Sequence, residues 1–572
     1  MPYANRKWRT WRPIVLVLIL ATLVAVAPHR TEAQNQTLVI EGGTLIDGTG
    51  RNPIRDSVIV IEGSRIKAAG TKGSVSVPAQ ATVIRAEGKT VLPGLIDGHI
   101  HFLDFMPPLF LHFGVTTVID TANPTEWIVA QREALRKGRI KGPRLFTTGW
   151  VIDGPVERAN MLHSTERGGY RTHVSTTEEA RVVARNVIRQ GVDAVKVHEG
   201  LTPELLAAVV DEAHQAGLEV VGHAEDAREA TVAGFRFAEH QYSITHSTVR
   251  GEVRRDAPEA DMDPALFDAL IALMVEKGVY YNPTLSRSAI NYLPKKREWE
   301  QLALTYLENP SWRFIPEARR ELWIREAKGP EPAVSSALAQ RRNEARRKVE
   351  DFVRRYARAG GKFVAGPDTG PSSGPSNIPG LSLHFEMEAL VDAGLTPMQA
   401  ILASTKWTAE MLRKEKDLGT VEAGKLADLI VIDGDPLADI RATRRIQTVI
   451  LDGKVVDTAV DPNFRNPMPR PVAAEYPPEY MGPELSAVAP KIARQGDASV
   501  TLDLTGEKFS PRSIVRFDTT DLATRFISES KLSATIPNQL LRNVGTYAVT
   551  VVNPGSGGGT SEVKYFVVNF RD

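Results

Sequence analysis

The chain has 572 residues with 70 basic and 69 acidic side chains, a formal net charge of +1, and no cysteine. This length exceeds what one ordinary core holds and predicts two or three domains, and the balanced charge gives no support to nucleic acid as a partner. The missing cysteines exclude disulfides, thiolate nucleophiles and cysteine-bearing zinc sites, so any metal must be bound by histidine, carboxylate or modified lysine.

Residues 1–33 are predicted to form a secretory signal peptide. Four basic side chains between residues 6 and 12 precede the apolar run 14–27, and Ala33 precedes a tolerable cleavage point. The run is shorter than the ~20 apolar residues that a membrane-spanning helix needs. The prediction is a secreted or periplasmic protein that keeps no stable membrane span after cleavage. An uncleaved anchor is the alternative.

Two β-rich segments flank the centre of the chain. Residues 34–93 contain the runs "TLVIEGGTLID" and "SVIVIEGSRIKAAG", separated by turns with Gly and Asn. Residues 411–460 contain "GTVEAGKLADLIVID" and "IQTVILDGKVV", which have the same character. The simplest arrangement is one composite β-sandwich domain built from both flanks.

Residues 94–410 alternate short apolar β runs, such as "VDAVKVH" and "LEVVGHA", with helical patterns such as "PELLAAVVDEAHQAG". Repeated strand–helix alternation indicates a parallel sheet, and about eight units predict a (β/α)8 TIM barrel in the α/β class. A charged, helix-prone insertion is predicted at 288–358. Its charges either solvate helix faces or belong to a lid over the site, and the two interpretations are compatible.

The C-terminal part is predicted to be a separate domain. Residues 461–484 are rich in proline and predict an extended, semi-rigid linker. Residues 485–570 carry alternating strands without helices, which predicts an all-β sandwich. The phrases "LTGEKF", "SATIP" and "YAVTVVNPGSGG" resemble the IPT/TIG family of immunoglobulin-like domains.

The stretch "TVLPGLIDGHIHF" sets His99 and His101 two positions apart at the end of an apolar strand. Residues i and i+2 of a strand share a face, so both rings must project together. Two such histidines would repel each other when protonated and leave unpaired polar groups when neutral. A shared metal ion removes both problems, because neutral imidazole is a common ligand of zinc and similar ions.

Further polar side chains stand where other barrel strands end, which is where functional groups of such barrels lie. Lys196 lies within an apolar strand, and three more residues close strands: His223, His240 and Asp368. Each is weak evidence alone. Together with His99 and His101 they form an ordered set of ligand-type groups.

This set resembles that of the amidohydrolase superfamily. "PGLIDGHIH" is similar to its first strand, "VAGPDTG" to its eighth, and "GVDAVKVHEG" with "VGHA" and "AEH" to its imidazolonepropionase-like and prolidase-type members. The resemblance implies two divalent ions, with zinc the expected metal. It implies His99, His101 and Asp368 on one ion.

The same resemblance implies that His223 and His240 bind the second ion. It further implies that Lys196, carbamylated by carbon dioxide, bridges the two. An ammonium has no lone pair to give, whereas a carbamate offers anionic oxygen to two ions about 3.5–4 Å apart. Two such ions lower the pKa of a bridging water and supply hydroxide. Asp368 is the predicted catalytic base and then acid.

Three residues near these strand ends are candidates for other roles. His198 shares the inward face with Lys196, and it can hold a metal ligand in place, contact substrate, or act as a ligand in a one-metal variant. Tyr242 and His246 follow His240 and are candidates for substrate contact.

The sequence therefore predicts an exported metal-dependent amidohydrolase that cleaves an amide, a dipeptide or a cyclic amide through a metal-bridging hydroxide. The predicted partner is a small-molecule or dipeptide-like substrate. The sequence leaves the oligomeric state open and allows a homo-oligomer. A mononuclear deaminase or a lactone hydrolase on the same barrel is the alternative among enzymes, since fold does not determine substrate. A catalytically dead exported binding protein is the alternative outside enzymes.

Overall fold

The computed structural model describes residues 37–155, 171–287, 295–330, 333–470, 483–554 and 559–571. The predicted signal peptide lies outside the described residues. Within these ranges, no helix combines the length and the apolar character that crossing a membrane requires.

The first strands of the chain form one half of a β domain. They are β1 (Leu38–Leu45), β2 (Ile54–Glu62), β3 (Arg65–Thr71), β4 (Thr82–Arg85) and β5 (Lys89–Pro93). β1 pairs with β2 antiparallel and with β4 and β5 parallel. Their apolar residues on one face, with Ile40 and Ile59 fully buried, form a small core of their own.

The central strands are short and buried. They are β6 (Leu95–Ile100), β7 (Val115–Asp120), β8 (Arg144–Thr147), β9 (Val151–Asp153), β10 (Arg171–His173), β11 (Val195–Val197), β12 (Val220–Gly222), β13 (Phe237–Glu239), β14 (Tyr280–Asn282) and β15 (Lys362–Phe363). β6 and β7 are buried at every position, as expected of parallel strands covered on both faces.

The central strands pair in parallel within three sheets. The described pairings run β6-β7-β8, β10-β9-β11-β12 and β13-β14-β15. The segment after β15 then lies against β6, because Gly98 N–H donates to the Ala365 carbonyl at 2.9 Å and Ile100 forms a parallel bridge with Thr369. Within each of these sheets the carboxyl ends of the strands therefore point to one side, which gathers residues far apart in sequence.

Helices alternate with these strands. They are α1 (Pro107–His112), α2 (Thr125–Arg136), α3 (Thr177–Arg189), α4 (Pro203–Gln215), α5 (Ala227–Val232), α6 (Tyr242–Thr248), α7 (Phe267–Glu276), α8 (Lys296–Leu307), α9 (Glu317–Lys328), α10 (Ser336–Arg358), α11 (Leu381–Asp392), α12 (Pro397–Ala403) and α13 (Lys406–Met411). A capping box of Thr176 and Glu179 begins α3, and the Thr202 side chain caps α4.

The predicted insertion forms α8, α9 and α10 and is anchored in the main core. Trp299, Trp312 and Trp323 are each at most 2% exposed. Trp299 stacks on Phe385 of α11 with ring centroids 4.9 Å apart. The charged residues that dominate the sequence of this insertion cover its outer faces, while the tryptophans fix it to the rest of the molecule.

The last strands of the β domain follow α13. They are β16 (Leu429–Asp433), β17 (Ile446–Leu451) and β18 (Lys454–Val456). β16 pairs antiparallel with β5, so the sheet order is β18-β17-β16-β5-β1-β2-β3. One sheet thus combines strands from both ends of the central region.

The C-terminal strands form two sheets around a separate apolar core. They are β19 (Glu484–Ala489), β20 (Ile492–Arg494), β21 (Ser499–Glu507), β22 (Ile514–Phe517), β23 (Thr520–Asp521), β24 (Ala523–Ser528), β25 (Lys531–Pro537), β26 (Gly545–Asn553), β27 (Gly559–Thr560) and β28 (Lys564–Asn569). The sheet orders are β19-β21-β25-β24 and β20-β28-β26-β22-β23, with β27 on β26.

The start of the predicted linker, residues 461–470, packs against the central domain. Met468 is fully buried in the main core. Its carbonyl accepts hydrogen bonds from Trp127 Nε1 at 3.0 Å and from Gln131 Nε2 at 2.7 Å, both on α2. Proline-rich composition predicts an extended backbone but is silent on whether that backbone lies against a helix.

Candidate metal centre

Two histidines and an aspartate meet at the carboxyl end of β6. His99 lies in β6 and His101 just beyond it, so both rings project to the same side. Their Nε2 atoms lie 3.3 Å and 3.1 Å from Oδ1 of Asp368. The Asp368 N–H donates to the His99 carbonyl at 3.0 Å, which holds the two segments together. The structure therefore brings His99, His101 and Asp368 into one group.

Lys196, His223 and His240 lie across the same cavity. The rings of His223 and His240 are 4.8 Å apart between centroids, and the His240 ring is 5.3 Å from that of His99. Lys196 in β11 is 1% exposed, and its Nζ donates to Glu239 Oε2. The six residues that the sequence predicts as ligands thus surround one small space.

Glu239 occupies the middle of this group and is absent from the residues that the sequence predicts. Its Oε2 binds Lys196 and lies 3.5 Å from His223 Nε2, while its Oε1 faces His99 Nδ1. Burial acts to raise the pKa of Glu239, but the charges of His99 and Lys196 outweigh burial and lower this pKa below its ordinary value. Glu239 is therefore a fully buried, ionised carboxylate.

The backbone at His240 explains why the sequence pattern misses Glu239. In a regular strand, residues 239 and 240 would point to opposite faces. His240 instead has a left-handed φ of 59°, which ends β13 and lets both side chains reach the cavity. Asp368 has a φ of 54°. Such conformations are uncommon for residues other than glycine and concentrate at functional sites.

Two glycines make room for the buried side chains. A Cβ at Gly222, which has a φ of 125°, would lie 2.9 Å from Lys196 Cδ and 1.9 Å from a backbone oxygen. A Cβ at Gly366 would lie 2.7 Å from the Cβ of His99. Larger residues at these positions would displace the Lys196 and His99 side chains.

The donor set fits divalent cations. Both ring nitrogens of His99, Glu239 Oε1 and Asp368 Oδ1 are buried and make no hydrogen bond of good geometry among the described residues. One cluster of ligand atoms within 4.8 Å consists of His99, His101 and Asp368, and another consists of His99, Glu239 and His240. Imidazole nitrogen and carboxylate oxygen are ligands that zinc accepts, and a cation would satisfy these unpaired atoms.

The second pair of histidines is held in the neutral form. Burial lowers the pKa of His240 to about 4, although Glu239 and Asp368 act in the opposite direction. Burial and the nearby cationic groups put the pKa of His223 well below its ordinary value. Neutral imidazole is the form that binds metal.

Asp368 is oriented by Arg287, which the sequence pattern does not reveal. The Arg287 guanidinium contacts both the carboxylate and the backbone carbonyl of Asp368, and its other nitrogen donates to Ser372 Oγ at 2.7 Å. Burial acts to raise the pKa of Asp368, but Arg287 and His99 hold this pKa well below its ordinary value. Asp368 is therefore ionised at neutral pH.

The loop that carries Arg287 is fixed by a carboxylate of α11. Glu386 is fully buried, and its two oxygens accept the backbone N–H groups of Leu285 at 2.8 Å and Ser286 at 2.7 Å. In the same loop, the Thr284 hydroxyl lies 2.8 Å from Nδ1 of His240. One buried glutamate thus positions contacts to two proposed ligands.

His198 is held by a buried ion pair. Arg171 donates to His198 Nδ1 at 3.0 Å and to Asp153 at 2.7 Å. Because a guanidinium only donates, this nitrogen accepts and the ring proton lies on Nε2. Burial lowers the pKa of His198 to about 4. The ring lies 4.3 Å from that of His223, so His198 supports a proposed ligand and also lines the cavity.

An inner and an outer cavity meet at these residues. The inner one holds about 110 Å³ and is lined by His101, Lys196, His223 and Asp368 among others. The outer one holds about 870 Å³, and Tyr242 and His246 line it with their rings 4.3 Å apart. Both cavities reach His240 and Asp368, so a substrate in the outer cavity would meet the candidate metal centre at its inner end.

The chain resembles known proteins both in sequence and in fold. An enamidase of Eubacterium barkeri matches this chain over 102 residues at 32% identity, which is 16% of this chain and 26% of that protein. The chain thus spans about a quarter of the length of this curated relative. A solved Xaa-Pro dipeptidase with bound methionine superposes with a TM-score of 0.53 at 24% identity, covering 74% of this chain and all of the other.

A solved molinate hydrolase superposes with a TM-score of 0.55 at 23% identity, covering 74% of this chain and 95% of the other. At these identities the structural likeness shows the fold, a TIM barrel with a β domain. The model of the amidohydrolase family matches residues 90–456, which contain every residue of the candidate metal centre. Because that match extends over more than half of the sequence, the chain belongs to the amidohydrolase family.

Proposed function

We propose that the chain is a metal-dependent hydrolase of carbon–nitrogen bonds that acts on an amide, a dipeptide or a cyclic amide. The observation that carries this proposal is the convergence of ligand-type side chains with unpaired buried atoms on one cavity. Membership of the amidohydrolase family supports the reaction class. The names of the structural relatives, a dipeptidase and a molinate hydrolase, describe hydrolysis and support it further.

His99, His101 and Asp368 would hold one divalent ion, and His223 and His240 would hold the second. Zinc is the proposed metal. When bound, the ions supply a nucleophilic water at neutral pH and polarise the scissile carbonyl. The neutral state of His223 and His240 and the ionised state of Asp368 suit these roles without any proton leaving the site.

Lys196 is proposed as the shared ligand after carbamylation by carbon dioxide. Its Nζ pairs with Glu239 as an ammonium, and that pair compensates the buried charge of each partner. Carbamylation would set two anionic groups side by side in a buried site. The carbamate is therefore expected only when cations are bound. The negative charge of Glu239 thus makes carbamylation of Lys196 depend on metal binding.

Asp368 is proposed to accept a proton from the attacking water at a carboxylate oxygen and to return it to the leaving amine. The contact with Arg287 fixes the orientation of this carboxylate. His198 lines the inner cavity and is proposed to contact the substrate there.

Metal removal tests the proposal. Purified full-length protein should contain about two zinc-type ions per chain by mass spectrometry, and chelator should abolish hydrolysis of an amide and dipeptide panel, with zinc restoring it. One ion per chain with turnover of a lactone or an amino-purine would favour the alternative enzymes. A loaded chain without turnover would favour a binding protein, and an active metal-free chain would contradict the proposal.

Export to the periplasm or beyond is also proposed, because residues 1–33 have the composition of a secretory signal peptide. Cell fractionation and N-terminal sequencing of the mature chain test it. The expected new N-terminus is Gln34.

A further inference from the structure

Glu259 stands on the wall of the outer cavity, outside the proposed metal ligands. It lines that cavity yet is only 3% exposed, and its Oε2 makes no hydrogen bond with any described residue. Burial raises the pKa of Glu259 to about 7, against a hydrogen bond from its own backbone N–H. An unpaired buried carboxylate is unfavourable, and Glu259 lacks the compensation that Lys196 gives to Glu239.

The turn that carries Glu259, Pro258–Asp261, is held by two cations of α10. Arg341 donates to both carboxylate oxygens of Asp261 at 3.1 Å and 2.9 Å. Lys348 Nζ donates to one backbone carbonyl within this turn and to another just after it, each at 2.8 Å. The insertion therefore fixes the buried carboxyl group in place on the cavity wall.

The arginines that line the outer cavity do not supply Glu259 with a partner. Arg254 and Arg255 are exposed, so solvent and salt screen their charges. Arg287 is engaged with Asp368. A charge interacts far more strongly with a ligand when both are shielded from water. Of the two carboxyl groups that line this cavity, Asp368 is paired with Arg287, whereas Glu259 has no such cationic partner among the described residues.

We propose that Glu259 determines specificity by binding a basic nitrogen, an ammonium or a guanidinium, on a part of the substrate that is not cleaved. This inference rests on the proposed hydrolytic function, which places that part of the substrate in the outer cavity beside His240 and Asp368. The cation would pair with the carboxylate and remove the unfavourable burial of an unpaired charge. Glu259 would thus favour substrates with one basic group over neutral substrates of the same shape.

Two ligand pairs test this, each differing by one ammonium: alanyl-proline against propionyl-proline, and lysyl-proline against norleucyl-proline. Calorimetry on the full chain after chelator treatment gives dissociation constants without turnover. We expect the member with the additional ammonium to bind about 10–100 times more tightly in at least one pair. Glu259→Gln should reduce that ratio to about one while keeping the affinity for the member that lacks the additional ammonium.

Glu252→Gln is the matched control, because Glu252 is exposed and lies seven positions before Glu259 in the same connection. It should keep the wild-type ratio. Equal binding of both members by the wild type, binding of none, or an unchanged ratio in Glu259→Gln would overturn the inference. Selective binding through Glu259 by a chain that hydrolyses no amide would support it while contradicting the proposed function, and amide hydrolysis without such selectivity would do the reverse.

Discussion

At the residue scale, Asp368 is the side chain with the most closely defined surroundings. Its Oδ1 faces His99 and His101, and its Oδ2 faces Arg287. This arrangement leaves the carboxylate ionised and fixed toward the inner cavity. The proposed proton transfer depends on that charge, whereas the proposed metal contact depends mainly on an oxygen atom.

Asp368→Asn separates these two roles. The amide keeps the shape and one oxygen but cannot accept a proton, so turnover should fall by roughly 10²–10⁴-fold, the usual range of general acid–base catalysis. Metal content measured on the same preparation should remain near that of the wild type. An unchanged rate would mean that another group handles the proton, and His198 would be the first to examine.

Lys196→Ala removes the proposed shared ligand. The variant should lose at least one ion per chain and nearly all activity, because the carbamate oxygen atoms are gone and Glu239 is left without its partner. Short carboxylic acids such as acetate or propionate should restore part of the activity by supplying the missing oxygen atoms. The measurement is kcat with and without the acid at saturating zinc.

Glu239→Gln is the comparison for Lys196→Ala. If the carbamate bridges the ions, Glu239→Gln should weaken metal binding less than Lys196→Ala does. Full activity of Lys196→Ala would rule out its bridging role. Loss of all metal only in Glu239→Gln would indicate that Glu239 is the shared ligand instead.

At the element scale, the structure answers whether the charged insertion is part of the core. Trp323 of α9 donates from Nε1 to the Ser373 carbonyl at 2.6 Å, and Arg319 donates to the Pro371 carbonyl at 2.9 Å. These contacts brace the loop that follows Asp368. The insertion is therefore packed against the site and anchored by buried tryptophans, while its charges remain on the outer helix faces.

Helix α11 gives a prediction at the same scale, through Glu386. Glu386→Gln replaces one of the two acceptor oxygens with an N–H donor that opposes a backbone N–H. The Thr284–Arg287 loop should loosen, and kcat/KM should fall about tenfold to a hundredfold, as expected when one buried hydrogen bond is lost and a second group is left unpaired.

Glu388→Gln is the control, because Glu388 lies two residues further along α11. Glu388 is equally buried but pairs with Lys295 at 2.9 Å and Arg444 at 3.2 Å, away from the site. It should lower the melting temperature without changing kcat/KM. A loss of activity proportional to the loss of stability in both variants would show that Glu386 acts on the fold and not on the loop.

At the scale of the whole molecule, the C-terminal part touches the central domain more closely than its linker composition predicts. Lys491 pairs with Glu126 at 3.2 Å and lies over the Trp150 ring at 4.7 Å, and Val567 is buried in the main core. Glu126 lies in the first turn of α2. The C-terminal sandwich therefore packs against the central domain.

Truncation tests how far this packing matters. The sequence alone predicts that a chain ending near Pro462 stays soluble and active on small substrates. Because Met468 is fully buried, we expect a chain ending at residue 460 to be less stable than one ending at 475 by about 2–4 kcal/mol, from lost apolar burial and lost hydrogen bonds of Trp127 and Gln131.

Denaturant unfolding and kcat/KM on both truncated chains give the comparison. Both should retain the metal content of the full chain, because the proposed ligands all lie before residue 369. Equal stabilities would contradict the importance of Met468. A large fall in kcat/KM with metals bound would mean that the sandwich shapes the substrate cavity.

The sequence by itself determines which polar groups stand at the ends of which strands. Period-two alternation puts His99 and His101 on one face, and repeated strand–helix units imply that His223, His240 and Asp368 share one end of the sheet. These are consequences of local backbone geometry and of parallel pairing, so they can be read from spacing alone. The structure brings these side chains together, and their metal-binding role stays a prediction.

Only the tertiary structure decides what surrounds them. Glu239 reaches the cavity because His240 adopts a left-handed conformation that no alternation pattern contains. Glu386 and Arg287 act across about a hundred and about eighty positions of sequence, and Met468 is buried by a helix more than three hundred residues earlier. Contacts of this kind depend on how distant segments pack, and local periodicity carries no information about that packing.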